Sequence, residues 1–212
     1  ASRFIDAFSE LSYWDFGFEL KTEDVVFEGS EMEKIFENNK YKIFSVPVKH
    51  SVPAVGYCFQ EKDRWNIDLK KAKKAGLKEG PLMEKLKKEG EVDIDGKTVK
   101  LRDVATKTKG KKIVYSGDTA PCKSLENMAK GADLLIHEAT FMDDEEKDGR
   151  KYLERHTNVK KAAEIAKKAG VKKLVITHFS RRYKDPKKLL EKAKKIFPKT
   201  EIAEDLKEMV VK

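Results

Sequence analysis

The sequence predicts a mixed α/β domain in which strands alternate with single helices. Residues 112–116 and 132–136 are short runs rich in β-branched and other apolar residues, and Pro121 opens a helical pattern between them. The plan repeats with a helix over 158–169 and a strand over 173–177. Strands joined by single helices form parallel sheets, which hold ligands and catalytic groups at the carboxyl ends of their strands.

The rest of the chain adds further elements to this plan. Residues 41–48 have apolar side chains at every second position, which is typical of a strand, and a tight turn then leads to a returning strand up to Tyr57. The remaining predictions are an amphipathic segment over 3–14, a strand over 24–27, a charged loop over 143–155, a helix over 186–196 and short strands over 200–203 and 209–211.

Chemically active side chains follow the three alternating strands. Asp118 comes just after the first strand, His137 and Glu138 come at the end of the second, and His178 follows the third. Because the carboxyl ends of parallel strands share one edge of a sheet, we expect these side chains to lie close together.

The other two histidines extend this set. His50 lies at the turn after the strand over 41–48, and His156 closely precedes a helix. Imidazole and carboxylate groups are ligands that zinc and similar divalent metals accept. The sequence therefore predicts a hydrolytic metal centre. Its candidate ligands are His50, Asp118 and His178, and its candidate proton-handling groups are Glu138 and His156.

Each of these residues also has a simpler interpretation. Asp118 has the character of an N-terminal cap for the helix that Pro121 opens. Glu138 is compatible with an exposed carboxylate. Thr157 or Asn158 would cap the next helix without any role for His156.

Charge is concentrated in one part of the chain. The 212 residues include 39% charged residues with a formal net charge of +9, and a single glutamine, a balance typical of hyperthermophilic proteins. Residues 61–112 contain 17 basic and 10 acidic residues, a local charge of +7. This excess fits a polyanionic partner such as a nucleic acid, and it fits a solvated thermophilic surface equally well.

The same basic segment differs from the rest in pattern. It contains helical stretches over 68–75 and 82–88 and a hairpin across Asp95-Gly96, and its apolar residues are sparse. We therefore predict a projecting arm. The predicted divisions are 1–60 and 113–212 for the two parts of the core and 61–112 for the arm.

Two classes of protein are disfavoured. Cys58 and Cys122 are isolated and lack CxxC spacing, so neither a disulfide framework nor a thiolate zinc site is predicted. No apolar run approaches membrane-spanning length and no signal peptide is visible, so we expect a soluble, cytoplasmic protein. The chain begins with Ala1, and we expect it to be part of a longer protein.

Six motifs, taken in order, resemble one known family. They are HSVPAVGY from His50, GPLMEKLKKEGE over 80–91, SGDTAP around Asp118, HEAT over 137–140, His156-Thr157, and THFSRRY around His178. In this order and spacing they are similar to those of ribonuclease Z, the tRNA 3′-processing endonuclease of the metallo-β-lactamase superfamily.

The resemblance implies a fold, a cofactor and a set of roles. The fold would be an αββα sandwich, incomplete at its N-terminus, with a projecting basic arm. Two zinc ions would be present, with His50 on one, His178 on the other and Asp118 between them. Glu138 and His156 would help to protonate the leaving oxygen or steady the scissile phosphate. The substrate-binding residues would be Arg182 near the phosphate and Gly80, Pro81, Lys85 and Lys87 on the arm that grips precursor tRNA. Family members usually act as homodimers.

One departure from the family pattern stands out. The principal metal motif of the family, HxHxDH, is not in this sequence. We therefore interpret the chain as the C-terminal two-thirds of a ribonuclease Z, whose activity needs that motif. The alternatives are a catalytically inactive RNA-binding fragment and another hydrolase of the superfamily that acts on a small ester, although the arm disfavours the latter.

Overall fold

The computed structural model describes residues 5, 7, 8, 10, 17, 18, 21–26, 28–142 and 155–211. Most of the predicted amphipathic segment over 3–14 and of the charged loop over 143–155 lies outside these residues. Among the helices in the described part of the chain, none has the length and apolar character needed to cross a membrane.

Strands and helices alternate as predicted in the second half of the chain. The strands of the described residues are β1 Glu33–Glu37, β2 Tyr41–Pro47, β3 Val55–Glu61, β4 Arg64–Ile67, β5 Glu91–Ile94, β6 Lys97–Lys100, β7 Ala105–Thr108, β8 Lys112–Tyr115, β9 Leu134–Glu138, β10 Leu174–Thr177 and β11 Thr200–Ile202. The helices are α1 Leu69–Lys74, α2 Pro81–Glu89, α3 Leu101–Val104, α4 Lys123–Ala129, α5 Val159–Ala169 and α6 Lys187–Ile196.

Seven strands form the main sheet, in the order β1-β2-β3-β8-β9-β10-β11. The pairs from β1 to β8 are antiparallel, whereas β8, β9, β10 and β11 run parallel to one another. Because β2 and β8 are each antiparallel to β3, β2 points in the same direction as the parallel strands. The carboxyl ends of β2, β8, β9 and β10 therefore meet at one edge of the sheet.

Most predicted elements are confirmed, with boundaries shifted by one or two residues. Helix α5 begins after Asn158, whose side chain accepts a hydrogen bond from Lys161 N at 2.8 Å, so Asn158 is the cap of this helix. Two short strands were predicted wrongly. Residues 24–26 and 209–211 are not in strands, and Phe27 lies outside the described residues. Apolar residues form a strand only where a neighbour pairs with them, and Val210 is exposed instead.

The main core lies between one face of the sheet and helices α4, α5 and α6. Residues paired across the central strands contribute to it, among them Cys58, Val114, Leu135 and Leu174. Leu125, Met128 and Ala129 of α4 are buried against them, as predicted for this helix. The packing fixes the register of each strand, and with it the positions of the residues that follow each strand.

The basic segment over 61–112 has a small core of its own. Its buried residues are Ala72, Leu77, Leu86, Val92, Val99, Leu101 and Val104. The chain leaves and re-enters the main sheet at adjacent points, because Glu61 N donates to Lys111 O at 2.8 Å and β4 pairs with β7. The sparse apolar residues are thus concentrated in one cluster, and this arrangement is compatible with the predicted arm.

Candidate metal centre

Four strand ends bring the candidate residues to one edge of the main sheet. His50 follows β2, Asp118 follows β8, Glu138 ends β9 and His178 follows β10. A bridge between Lys49 and Ala120 joins the first two of these loops. The predicted proximity of these side chains is observed, and its cause is the common direction of β2, β8, β9 and β10.

The loop that carries Asp118 is held close to its neighbours. Gly117 has a φ of +61°, and a Cβ there would lie 3.0 Å from Val55 O. Lys49 N donates to Thr119 Oγ1 at 3.2 Å, which ties the loop to the segment before His50. The N-cap of α4 is Cys122, which makes no side-chain capping bond, so the interpretation of Asp118 as a helix cap is wrong.

Glu138 lies in the centre of a buried hydrogen-bond network. Its side chain is only 1% exposed, so the alternative of a surface carboxylate is wrong. Oε1 accepts from Thr119 N at 2.6 Å and lies 3.0 Å from His156 Nδ1. Oε2 accepts from Thr157 N at 3.0 Å and from Thr140 Oγ1 at 2.7 Å. Burial of a carboxylate is tolerated because every oxygen has donors.

Three imidazoles and a carboxylate surround the neighbouring space. The ring centroids of His50 and His156 are 5.1 Å apart, and those of His156 and His178 are 5.4 Å apart. Ligand atoms of His50, Asp118 and His156 lie within 4.8 Å of one another, and so do those of Glu138, His156 and His178. His156 therefore belongs to both groups, and its position in the sequence before a helix did not predict that it would lie between the others.

This donor set suits a divalent metal such as zinc. His50 Nε2 is buried and has no hydrogen-bond partner among the described residues. His178 Nε2 and Asp118 Oδ2 are 3.5 Å apart. Two ligands on a tetrahedral zinc ion, each about 2.1 Å from the metal, lie about 3.4 Å apart. An unpartnered buried nitrogen and two ligand atoms at this spacing both fit a metal site.

His137 lies outside this group although it precedes Glu138. It is fully buried in β9, and its Nδ1 is 2.7 Å from Glu138 O. Burial lowers the pKa of its imidazole, which favours the neutral ring. Side chains alternate along a strand, so His137 and Glu138 point to opposite faces of the sheet.

The predicted substrate residues lie in two other places. Arg182 has its guanidinium carbon 5.4 Å from the centroid of the Phe141 ring, and that ring is 6.3 Å from the ring of His156. The arm residues Gly80, Pro81, Lys85 and Lys87 belong to helix α2 and to the residue before it. Arg182 is thus connected to the site through one aromatic ring, and the arm residues are not part of either ligand group.

Sequence reasoning missed the threonines of this site. Thr119, Thr140 and Thr157 all bind Glu138, through backbone or side chain. Each stands within two residues of a predicted site residue in the sequence. All three stand in motifs that resemble ribonuclease Z, but threonine is common in strands and turns, so its type and spacing did not predict the contacts with Glu138.

The fold and the site together define a class of protein. Residues 94–179 match the family model of the β-lactamase superfamily domain. A solved metallo-β-lactamase fold protein, YhfI of Bacillus subtilis, is similar to this chain with a TM-score of 0.52 and 20% identity, over 94% of this chain and 58% of that one. The protein has a metallo-β-lactamase-type α/β fold.

The relatives in sequence are ribonuclease Z proteins. Ribonuclease Z of Sulfurisphaera tokodaii is 41% identical over 177 residues, which are 84% of this chain and 59% of that protein. Ribonuclease Z of Methanothermobacter thermautotrophicus is 37% identical over 204 residues, 96% of this chain and 64% of that protein. The chain is a homologue of ribonuclease Z, as its motifs predicted, and it spans about three fifths of the length of these two curated relatives.

Proposed function

We propose that this chain forms the greater part of a zinc-dependent, cytoplasmic endoribonuclease that removes 3′ trailers from precursor tRNA. The observation that carries the proposal is the meeting of His50, Asp118, Glu138, His156 and His178 at one sheet edge in a homologue of ribonuclease Z. In this proposal His50, Asp118 and His178 hold two zinc ions, together with ligands from an HxHxDH motif outside this chain.

The proposed reaction is hydrolysis of a phosphodiester bond. Bound zinc would make water acidic enough to attack near neutral pH and would stabilise charge on the phosphate oxygens. His156 would give a proton to the leaving oxygen. Glu138 supports this role because its Oε1 lies 3.0 Å from His156 Nδ1, where it accepts the Nδ1 hydrogen and orients the ring.

The proposed substrate contacts lie on the arm and beside the site. Lys85 and Lys87 on helix α2 would bind phosphates of the tRNA body, with Gly80 and Pro81 shaping the approach. The local charge of +7 over 61–112 supports a polyanionic partner. Arg182, next to Phe141, would bind phosphate near the scissile bond. We further propose a homodimer in which the arm of one subunit holds tRNA for the other.

Zinc binding and cleavage, measured together, test the proposal. Zinc content and precursor tRNA cleavage are assayed for this chain with and without a ribonuclease Z fragment that carries HxHxDH. We expect Asp118→Asn to weaken zinc binding at least tenfold, because the negative charge of a carboxylate that would hold the metal is lost. Asp103→Asn is the matched control, since Asp103 is an exposed carboxylate of the arm, and it should bind zinc normally.

Each result bears on a different part of the proposal. Zinc binding with cleavage just after the discriminator position, leaving a 3′-hydroxyl, supports the whole of it. Zinc binding by the reconstituted pair without cleavage of precursor tRNA contradicts the substrate. Equal zinc binding by Asp118→Asn and Asp103→Asn contradicts the metal centre. Tight tRNA binding without zinc or cleavage would favour the inactive RNA-binding alternative.

A further inference from the structure

Thr140 connects the buried carboxylate of Glu138 to the imidazole of His178. Its Oγ1 is 2.7 Å from Glu138 Oε2 and 2.8 Å from His178 Nδ1. We propose that Thr140 is a positioning residue that fixes the tautomer of His178, so that Nδ1 carries the hydrogen and the Nε2 lone pair faces Asp118. This inference rests on the proposed function only in treating His178 as a metal ligand.

The direction of these hydrogen bonds follows from counting protons. An ionised carboxylate only accepts hydrogen bonds, and it has about four acceptor sites. Glu138 is surrounded by backbone amides of Thr119 and Thr157, the Thr140 hydroxyl and His156 Nδ1. All four groups must donate to it. The single hydroxyl hydrogen of Thr140 is therefore donated to Glu138.

Because that hydrogen is donated to Glu138, the hydrogen-bond role of His178 Nδ1 is determined as well. Thr140 Oγ1 has only its lone pairs left for His178, so Nδ1 must be the donor across the 2.8 Å contact. A neutral imidazole with Nδ1–H has its lone pair on Nε2. The same reasoning assigns Nδ1–H to His156, which donates directly to Glu138 Oε1. Glu138 thus orients two imidazoles at once, one directly and one through Thr140.

The assigned tautomer places two acceptors opposite each other. His178 Nε2 and Asp118 Oδ2 are 3.5 Å apart, and with Nδ1–H on His178 neither atom supplies a hydrogen to the other. Two such acceptors repel each other, and because both side chains are partly exposed, either a water molecule or a cation would lie between them. The alternative tautomer, with Nε2–H, would instead donate to Asp118 and occupy the lone pair that a metal needs. Thr140 therefore selects the metal-ready form of His178.

The tautomer of His178 is measurable without any metal or activity. The chain is labelled with ¹⁵N-histidine, and long-range ¹⁵N–¹H correlations are recorded on the metal-free protein well above the ordinary histidine pKa. The four histidines are assigned by single substitutions. We expect Nδ1–H on His178 in the wild type and in Thr140→Ser, and Nε2–H in Thr140→Val. Zinc affinity, measured with the ribonuclease Z fragment that carries HxHxDH, should be weaker by about 10–100-fold in Thr140→Val and recover in Thr140→Ser.

Thr157→Val is the matched control, because it also removes a buried threonine hydroxyl near Glu138. This hydroxyl donates to Thr119 O and does not contact a histidine. It should leave the His178 tautomer unchanged. Nε2–H on His178 in the wild type overturns the inference, and this result needs no variant to fold. Nδ1–H retained in Thr140→Val overturns it as well. If the tautomers behave as expected but no zinc binds even when the fragment that carries HxHxDH is added, the metal assignment of the proposed function fails while the role of Thr140 stands.

Discussion

At the scale of single residues, the buried carboxylate of Glu138 depends on its hydrogen-bond donors. Its carboxylate is buried and meets donors from three loops and one histidine. A buried charge is stable only when such donors replace the water that it has lost. Glu138 therefore both stabilises the edge of the sheet and orients the groups of the candidate site.

Glu138→Gln should lower the free energy of unfolding by roughly 2–4 kcal/mol, because an amide group would face donors that now bind an oxygen. Urea unfolding at pH 7 measures this loss. Glu164→Gln is the control, since Glu164 forms only an exposed pair with Lys161 at 3.4 Å and should change stability by less than about 0.5 kcal/mol. Equal losses of unfolding free energy in the two variants would contradict the stabilising role of the Glu138 network.

At the scale of elements, Asp133 joins strands β8 and β10 to the start of β9. Its Oδ2 accepts from Lys112 N at 2.8 Å, and its Oδ1 accepts from Lys172 Nζ at 2.6 Å. Burial alone would raise the pKa of this carboxyl, but the Lys172 ammonium and the Lys112 amide outweigh burial and hold the pKa below its ordinary value. A lowered folded-state pKa means that ionisation stabilises the fold.

Asp133→Asn should cost about 1–3 kcal/mol of unfolding free energy at pH 7 and less in acid. The wild-type carboxylate contributes fully above the ordinary aspartate pKa of about 3.9, and this contribution is lost as the pH falls through the lowered folded value. Urea unfolding of the wild type and the variant at pH 7 and at pH 3 measures the loss of unfolding free energy at each pH. Lys172→Met, which keeps the Lys112 contact, should cost under about 1 kcal/mol at pH 7. A penalty for Asp133→Asn that does not change with pH would contradict the assignment.

Helix α2 is the element to which the proposed function assigns tRNA binding. Charge reversal of Lys85 and Lys87 to Glu should weaken binding of precursor tRNA and reduce its salt dependence by about one phosphate contact for each lysine. Binding titrations at several salt concentrations measure both quantities. Reversal of Lys160 and Lys167 to Glu is the control, because it changes the net charge by the same amount at exposed sites of helix α5. An equal effect of this control would mean that tRNA responds only to net charge.

At the scale of the whole molecule, two separate apolar clusters organise the described residues. The larger one lies between the main sheet and helices α4 to α6, and the smaller one lies entirely within 61–112. Residues of the smaller cluster are close in sequence, whereas those of the larger one come from the segments before and after the arm. Segments with few buried apolar contacts open at lower free energy, so we expect the arm to unfold locally.

Leu86→Ala should lower the free energy of local unfolding of the arm by about 2–5 kcal/mol, because Leu86 is fully buried in the smaller cluster. Native-state hydrogen exchange should then show faster exchange at the amide of Leu101 and unchanged exchange at that of Leu135 in the main sheet. Leu135→Ala is the matched control and should raise exchange in the sheet. Faster exchange at both amides in Leu86→Ala would contradict independent unfolding of the arm, and with it the predicted division at 61–112.

Much of the fold was predictable because local patterns set it. The alternation around residues 41–48 and the cap at Asn158 each have a cause within a few neighbouring residues. The strand predicted over 209–211 was wrong because its formation depends on a partner strand that sequence alone does not reveal. The simpler interpretations of Asp118 and Glu138 failed for the same reason, since burial and contacts at the end of a strand depend on distant segments.

The sequence by itself determined the class of fold, the resemblance to ribonuclease Z and the order of the candidate residues His50, Asp118, Glu138, His156 and His178, because motifs and periodicity are local properties of the chain. Only the tertiary structure decided that His156 lies between the two ligand groups and that the Glu138 carboxylate is shared by three threonines. The physical reason is that these contacts join groups that only the folded chain brings together. Four strand ends, far apart in sequence, meet only when the sheet has formed.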